Sequence, residues 1–341
     1  MDPVGYLCSY TVRGIYQVTH LLGSGSSGDV VRAFNTLTGE DVAIKLSRRS
    51  SHESIVMTSV QYEIMVYKLI PDGIPGFPSI HYAGPDANHN VIVMDILGPS
   101  LNAIRRTCRG TFTLRTVCML ADQMIQRLES LHSRGLVSCD IKPHNFAMGT
   151  AKKDPNTVYM FDFALSVLYI DRETGKHVPF CERRGARGTI RYASVAAHRR
   201  HEVSRRDDVE SLLYVLLEFY HGTLPWHDIP ARDRRSELKI MTDMKDDASP
   251  SSPFGAFLAQ SPPEFTAYHA HCTGLAFGQK PDYALLRGLF GERMRKEGWD
   301  AADSQFDWVD GSALEKGTLL PEEYVIDMKF VEEKEWNPSY M

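Results

Sequence analysis

The period of the hydrophobic pattern changes once along the chain, near Gly98, and this change constrains the fold more than any other feature. Before it, short apolar runs alternate with turn signals. The runs typical of strands are IYQVTHLLG, DVVRAF, EDVAIKL and NVIVMDI, and NTLTGE is typical of a hairpin turn. One helix, roughly Ser59 to Leu69, interrupts them. The first part of the chain is therefore predicted to be rich in strands.

After Gly98 the apolar residues recur with helical spacing. One face of a long helix, ending near Gly135, is marked by Leu114, Val117, Met124, Leu128 and Leu131. The later run VESLLYVLLEFYHG is apolar almost all round, which is typical of a helix buried in a large lobe. The pattern predicts an α+β fold with a β-rich N-terminal lobe, a helical C-terminal lobe and a cleft between them.

The composition is that of a globular protein with a sizeable core. The chain has 341 residues, of which 43% are hydrophobic and 24% charged, and its net charge of −5 gives no basic bias toward nucleic acid. No apolar run is long enough for a membrane helix, and the first residues lack the pattern of a signal peptide. The cysteines show no CxxC spacing, which favours a reducing compartment. We expect a cytoplasmic protein, with the nucleus left open, and neither nucleic acid nor membrane as a partner.

A glycine-rich motif follows the first strand. In LLGSGSSGDVVRAF, Gly23, Gly25 and Gly28 form G-x-G-x-x-G, and glycines let a backbone approach phosphates closely. A dinucleotide-binding motif would open a helix here, whereas DVVRAF is strand-like. The context favours a glycine-rich hairpin over the phosphates of a nucleotide.

Charged residues follow in a consistent order. Lys45 in VAIK lies two residues after Ala43, so both side chains can face the same side of a strand. Glu63 lies on the predicted helix and could pair with Lys45. Each one alone is better explained as a solvated surface charge.

Two further motifs carry polar side chains in unusual places. Asp140, Lys142 and Asn145 form D-x-K-x-x-N just after the long helix. Asp162 lies in YMFDFALS, a strand-like run that a carboxylate interrupts at a cost that an ordinary buried strand would avoid. No single one of these features is decisive, but five of them in this order and at these spacings rarely arise by chance.

The chain resembles the protein kinases, and in particular the casein kinase 1 family of Ser/Thr kinases. The resemblance runs from about Gly14 to Trp308 and is carried by LLGSGSSGDV, VMDILGPSL, DIKPHNFAMG, GTIRYASVAAH, SRRDDVESLLYVLLEF, GTLPW, PDYALLRGLF and FDW. It implies a kinase N-lobe over residues 14–97, a C-lobe over 98–308 and an acidic tail over 309–341. That tail has eight Asp and Glu against three Lys from Val309 to Met341.

The resemblance implies roles for these residues in transfer from Mg²⁺-ATP to protein. Asp140 would take or orient the hydroxyl proton of the substrate, Lys142 would lie beside the transferred phosphoryl group, and Asn145 and Asp162 would bind Mg²⁺. The residues implied in ATP binding are Gly23, Gly25, Gly28, Val30, Ala43, Lys45 (braced by Glu63), Met94, Asp95 and Leu97. We expect a monomeric enzyme.

The chain departs from the family pattern at two places. The family has His-Arg before the catalytic Asp, where this chain has Ser138 and Cys139, and it has Gly at the position of Ala164. The smaller Ser138 is expected to leave a gap behind the Phe of the metal-binding motif and to weaken its support. Ala164 would be strained if its position required a positive φ. Every residue that contacts ATP, metal or proton is kept, which predicts an active, slow kinase. A pseudokinase that binds nucleotide or acts as a scaffold is the alternative.

The resemblance also implies a preference for acidic or phosphorylated residues upstream of the target. Arg191 and Arg234 match two positions of the basic pocket that reads such residues. A neighbouring anion site keeps one basic group at Arg184, while Cys139 and Val167 replace others.

Two histidine-rich motifs, HRRH and YHAHC, invite comparison with zinc sites. Neither has a second ligand pair at usable spacing, so we interpret His198, His201, His269 and His271 as core or surface histidines.

Overall fold

The structure is a computed structural model, and it describes residues 10–25, 28–49, 59–182, 187–300, 302 and 304–309. Two predicted features lie outside the described residues. They are Arg184 and the acidic tail beyond Val309. The chain forms two compact units. Among the described residues, the first contains those up to Ile104 together with His144–Leu165, and the second contains Arg105–Pro143 and those from Ser166 to Val309.

The secondary structure follows the change of period in the sequence. The strands are β1 (Thr11–Val12), β2 (Tyr16–Gly25), β3 (Gly28–Asn35), β4 (Asp41–Arg48), β5 (Ile80–Asp86), β6 (His89–Asp95), β7 (Leu136–Val137), β8 (Phe146–Thr150), β9 (Lys153–Met160) and β10 (Val167–Leu168). The helices are α1 (Ser59–Tyr67), α2 (Leu101–Thr107), α3 (Leu114–His132), α4 (Val195–His198), α5 (Arg205–His221), α6 (Arg234–Asp246), α7 (Pro253–Ala259), α8 (Pro263–Gly274) and α9 (Tyr283–Glu297). A short 3₁₀ turn covers Pro143–Asn145.

The first unit is built on an antiparallel sheet of six strands in the order β1-β2-β3-β4-β6-β5. Its β-branched residues alternate between faces, and Val31, Ile44, Val91 and Val93 form one buried core. Helix α1 packs against β4, β5 and β6. The hairpin of β8 and β9 also belongs to this unit.

The second unit is helical, and its helices have defined ends. Thr113 caps α3 by accepting from the N–H of Thr116. Ser204 and Asp207 form a capping box at the start of α5, and Gly222 ends that helix in the left-handed region at φ 82°. The apolar run of α5 is buried, as its sequence predicts. Strands β7 and β10 pair beside these helices.

The predicted α+β fold, with a β-rich N-terminal sheet and a helical C-terminal region, is confirmed. Strand β5 is among those that were not predicted, because its sequence IHYAGPD contains the turn residues Gly84 and Pro85. Proline is tolerated there because β5 lies at the edge of the sheet. The strand-like run YMFDFALS is a strand only as far as Met160, where β9 ends, so Asp162 follows the strand. Among the described residues, no helix is long and apolar enough to cross a membrane.

Candidate active site

A recess lies within the first unit. Its walls come from the sheet, from α1 and from the segment after β9. It is lined by Val30, Ala43, Lys45, Glu63, Tyr67, Met94, Asp95, Leu97, Phe161 and Asp162. The set includes every residue outside the glycine motif that the sequence assigned to ATP binding. The recess thus has an apolar wall with a few charged groups.

Three charged side chains meet in this recess. The Nζ atom of Lys45 lies 2.7 Å from Oε2 of Glu63 and 2.8 Å from Oδ1 of Asp162. Lys45 is 5% exposed and Glu63 is fully buried. Burial alone would lower the pKa of Lys45, but attraction by Asp162 and Glu63 outweighs it and raises the pKa above its usual value. Lys45 therefore keeps a fixed positive charge that points into the recess.

The segment after β9 is held in a specific backbone conformation. Asp162 has φ 62°, in the left-handed region, and the N–H of the next residue, Phe163, donates to Oε1 of Glu63 at 3.1 Å. The Phe163 ring is fully buried and packs against the rings of Tyr67 and Phe77 at centroid distances of 5.2 and 6.0 Å. Glu63 therefore orients both Lys45 and the backbone that carries Asp162.

The condition under which Ala164 would be strained, a positive φ, is not met. Ala164 is not among the residues with positive φ, whereas Asp162, two residues earlier, is. The hydrogen bond from Phe163 to Glu63 holds the turn at Asp162 instead. Ala164 therefore carries no penalty for lacking glycine.

Asn145 lies beside this segment. It ends the 3₁₀ turn, is 3% exposed, and its carbonyl oxygen accepts from the N–H of Phe161 at 3.1 Å. This bond places Asn145 next to the residue that precedes Asp162. The two predicted metal ligands thus belong to adjoining segments of the same unit.

The glycine motif forms the hairpin of β2 and β3, where Gly25 pairs with Gly28 and Gly23 with Val30. Gly28 has φ 121°, and a Cβ on it would lie 2.1 Å from the carbonyl oxygen of Leu46. A side chain at this position is therefore excluded by both the conformation and the space. A strand follows the glycines rather than a helix, as the sequence predicts.

Asp95 ends β6 at the rim of the recess, and its carboxylate is fully engaged. It lies 3.1 Å from Nε2 of His81 and 2.8 Å from Nζ of Lys153, and it accepts from the N–H of Ser79 at 3.1 Å. Burial alone would raise the pKa of Asp95, but the bonds from His81 and Lys153 outweigh it and hold the pKa well below its usual range. These contacts fix the chain that leads to Leu97.

The second unit contains a separate cluster around Asp140. Lys142 lies 3.0 Å from Oδ2 of Asp140, and Thr189 donates to Oδ1 from its N–H at 2.9 Å and from its hydroxyl at 2.7 Å. All three residues are buried. The carboxylate is therefore oriented from both oxygens, beside a positive charge.

The unusual pair Ser138–Cys139 is held by its backbone. Asp208 at the start of α5 accepts from the N–H of Ser138 at 2.6 Å and from the N–H of Cys139 at 3.0 Å. His132 contacts the same carboxylate at 2.9 Å. These bonds do not depend on the side chains at 138 and 139. The loop before Asp140 is therefore supported even though its side chains differ from the family pattern.

The carbonyl oxygen of Cys139 lies close to Gly188. Cys139 has φ 63°, and a Cβ on Gly188 would lie 2.2 Å from its carbonyl oxygen. Burial raises the pKa of the Cys139 thiol well above its usual value, with the Asp208 charge acting in the same direction. A thiolate is disfavoured there, in line with a packing role rather than a redox role.

The two predicted anion-binding arginines differ in their surroundings. Nη1 of Arg191 lies 3.5 Å from Oε1 of the buried Glu218, and its Nη2 lies 3.3 Å from Nε2 of His227. Arg234 is exposed at the first position of α6. Arg191 therefore already has a carboxylate partner within its own unit.

The histidine-rich motifs are not brought together as a metal site. Within the described ranges, no group of three or more His, Cys, Asp and Glu side chains is arranged to hold a metal ion. His198 is buried between Thr242 Oγ1 and the carbonyl of Ile190, each at 2.9 Å. His269 packs edge-on against Phe254.

A family model of the protein kinase domain matches residues 16–262, which is most of the chain. The chain belongs to the protein kinase family. The matched residues contain both clusters, the one around Lys45 and the one around Asp140. The predicted superfamily is thus confirmed, and membership of the casein kinase 1 family stays a prediction. Kinases of this family use ATP, typically with Mg²⁺, as the phosphoryl donor.

Sequence reasoning missed two residues of these clusters, Thr189 and Asp208. Thr189 lies 49 positions after Asp140, within GTIRYAS, where nothing local marks its role. Asp208 had a usable signal, because two adjacent aspartates lie in the first turn of a helix whose later residues are largely apolar. A buried carboxylate requires partners, so its position on that helix indicates a structural acceptor.

Proposed function

We propose that the chain is an active Ser/Thr protein kinase of the casein kinase 1 type. Lys45, held by both Glu63 and Asp162 in an apolar recess, is the observation that carries the proposal. The fixed ammonium group of Lys45, next to the partly accessible carboxylate of Asp162, suits the phosphates of a ligand. The apolar wall of the recess suits an apolar ring on the same ligand. ATP is such a ligand.

The residues on the nucleotide side fit Mg²⁺-ATP. Val30, Ala43 and Leu97 would contact the adenine ring, and Lys45 would neutralise phosphate charge. The hairpin at Gly28 lets the backbone approach the phosphates without a side chain in the way. Asp162 and Asn145 supply the carboxylate and amide oxygens that Mg²⁺ prefers. When bound there, Mg²⁺ would supply neutralisation of the charge that develops on the transferred group.

The residues on the acceptor side fit a hydroxyl substrate. The oxygen of the substrate Ser or Thr forms a bond to the γ-phosphorus, and the bond from that phosphorus to the bridging oxygen of ADP breaks. ADP leaves with the electron pair of that bond, and Asp140 accepts the hydroxyl proton. Thr189 and Lys142 keep the Asp140 carboxylate oriented during this step. Lys142 would also lower the charge on the transferred phosphoryl group.

We further propose that substrates carry acidic or phosphorylated residues upstream of the target. Arg234 is exposed and Arg191 is partly so, with a side chain that is 25% accessible. A phosphoryl group carries nearly two negative charges and three acceptor oxygens. It can therefore compete for Arg191 with the single charge of Glu218, and Arg234 adds a second guanidinium.

A nucleotide-binding pseudokinase is the second candidate, favoured by Ser138 and Cys139 before Asp140. Incubation with labelled ATP, Mg²⁺ and casein separates the two. The wild-type chain is expected to label casein on Ser and Thr, while Asp140→Asn and Asp162→Asn should reduce labelling by at least about 100-fold. Equal labelling by all three proteins would contradict the kinase proposal. A Mg²⁺-dependent thermal shift with ATP, without any labelling, would establish the pseudokinase.

A further inference from the structure

Lys245 is a buried lysine with no role in the proposed chemistry. It lies on α6, is 2% exposed, and its Nζ donates to three backbone carbonyls. The distances are 3.2 Å to Ile190, 3.0 Å to Arg191 and 2.7 Å to Ala193. All three acceptors belong to one short segment, residues 190–193, which directly follows Thr189.

Two aromatic rings complete the enclosure of the ammonium group. Its Nζ lies 4.8 Å from the centroid of the Tyr214 ring and 4.9 Å from that of Trp226. Both distances suit a cation above a ring face. The indole N–H of Trp226 also donates to the carbonyl of Arg191 at 2.9 Å. The Lys245 ammonium group is therefore enclosed by three carbonyl oxygens and two aromatic rings.

The three carbonyl acceptors around Lys245 match the charged form of its side chain. Three carbonyl acceptors need three N–H donors, and only the ammonium form supplies them. Burial lowers the pKa of Lys245, while Glu210 acts in the opposite direction. The carbonyl oxygens and ring faces stabilise the positive charge against this effect of burial.

The segment held by Lys245 continues into the Asp140 cluster. The N–H groups of Tyr192 and Ala193 both donate to the carbonyl oxygen of Thr189 at 3.0 Å. Thr189 in turn bonds to Asp140 from its N–H and its hydroxyl. Hydrogen bonds therefore connect Lys245 to Asp140 within the second unit through residues 189–193.

We propose that Lys245 is a positioning residue for phosphoryl transfer, holding residues 190–193 so that Thr189 orients Asp140. The inference rests on the proposed kinase function and adds to it a residue that lies outside both clusters. Without the ammonium group, three buried carbonyls lose their donor and the turn that carries Thr189 is free to shift. Such a shift affects the chemical step and leaves the recess of the first unit unchanged.

The test compares Lys245→Met with Lys239→Met, a control on the same helix whose side chain is 75% exposed. Methionine has a similar length and no N–H donors. We expect kcat of Lys245→Met to fall by about 10- to 100-fold, because small misplacements near the reacting groups cost this much. The KM for ATP and the Mg²⁺-ATP thermal shift are expected to stay at wild-type values, and Lys239→Met should match the wild type throughout.

Lys245→Gln serves as the conservative variant and as the substitute if Lys245→Met is insoluble. Glutamine keeps two N–H donors without a charge, so its kcat is expected between those of the wild type and Lys245→Met. If the wild type is active and Lys245→Met has the same kcat as the wild type, this inference alone is overturned. The same conclusion follows from Lys245→Gln if Lys245→Met is insoluble. A loss of kcat accompanied by an equal loss of the ATP thermal shift would show a purely structural role and overturn it as well. Absence of phosphotransfer by the wild-type chain would overturn the proposed function, and this inference with it.

Discussion

Thr189 donates two hydrogen bonds to the same oxygen of Asp140, from its N–H at 2.9 Å and from its hydroxyl at 2.7 Å. The first bond is available to any residue other than proline, whereas the second requires Ser or Thr. The other oxygen of Asp140 lies 3.0 Å from Lys142. The hydroxyl of Thr189 is thus a side-chain donor in this arrangement that a substitution of similar size can remove.

Thr189→Val is expected to lower kcat by about 10- to 100-fold, because Asp140 loses an orienting bond while the size of the side chain is kept. The KM for ATP should change little, since Thr189 does not line the recess. Thr189→Ser keeps the hydroxyl and should recover most of the rate. Steady-state kinetics of the three proteins check this. Equal kcat values for the Val and Ser variants would contradict a role for the hydroxyl.

Gly188→Ala is expected to destabilise the second unit strongly. Gly188 has φ 85°, and its new Cβ would lie 2.2 Å from the carbonyl oxygen of Cys139, a backbone atom that Asp208 helps to fix in place. Gly175→Ala is the matched control, because Gly175 has φ 67° but no atom within 4 Å of its Cβ position.

The control should cost only the backbone strain of about 1 kcal/mol in free energy of unfolding. Gly188→Ala should cost more than the control, because it adds a backbone clash to this strain. Denaturant unfolding of both variants measures the two costs. Equal losses would mean that the loop before Asp140 yields to the added methyl group.

Much of the fold could be predicted because the signals are local. The period-2 runs of β2, β3, β4 and β6 and the helical stripe of α3 depend only on neighbours in sequence. The same alternation places Ala43 and Lys45 on one face of β4, where both line the recess. Strand β5 was not predicted, because its sequence contains Gly and Pro, which usually mark a turn. An edge strand tolerates both residues.

The second half of the candidate site depends on contacts that are remote in sequence. Asp208 bonds to Ser138 across 70 positions, and Thr189 bonds to Asp140 across 49. The backbone at Asp162 is set by the bond from Phe163 to Glu63, which spans 100 positions. For this reason, the family pattern around Ala164 suggested strain at a position where the structure has none.

The stability of the chain should depend on His198 at acidic pH. Burial, together with the charge of Lys245, lowers the pKa of His198 to about 2. An unfolded histidine has a pKa of about 6.5, so the unfolded chain binds a proton at higher pH than the folded chain does. This contribution to stability is present in full above about pH 6.5 and is lost as the pH falls toward 2.

The loss due to His198 should reach at most about 1.4 kcal/mol per pH unit within that window. His198→Gln keeps a hydrogen-bonding side chain without a titratable group, so its free energy of unfolding should fall less steeply. Denaturant unfolding of both proteins, from about pH 6.5 down to about pH 4, provides the comparison. Parallel pH profiles would show that folding does not lower the pKa of His198.

Glu218 should limit how strongly the chain prefers phosphorylated substrates. Its Oε1 lies 3.5 Å from Nη1 of Arg191, so a substrate phosphoryl group must compete with it for the guanidinium. A charged hydrogen bond contributes about 1.5–3 kcal/mol, which predicts that a peptide with phosphoserine three residues before its target reacts about tenfold better than its alanine counterpart. Glu218→Gln removes the competing charge and keeps an oxygen that can accept from Tyr192, whose hydroxyl bonds to Glu218 at 2.6 Å. This variant is therefore expected to raise the ratio of kcat/KM for the phosphorylated peptide to that for the unphosphorylated one.

Arg234→Ala should lower the same ratio, because it removes the exposed guanidinium at the start of α6. Arg235→Ala is the matched control, since Arg235 is the neighbouring exposed arginine on that helix. Comparing ratios within each variant cancels any change in folded fraction, which affects both peptides equally. If the ratio is the same in the wild type, Glu218→Gln and Arg234→Ala, neither arginine reads an upstream phosphoryl group, and substrate choice depends on other surfaces while the kinase reaction itself is untouched.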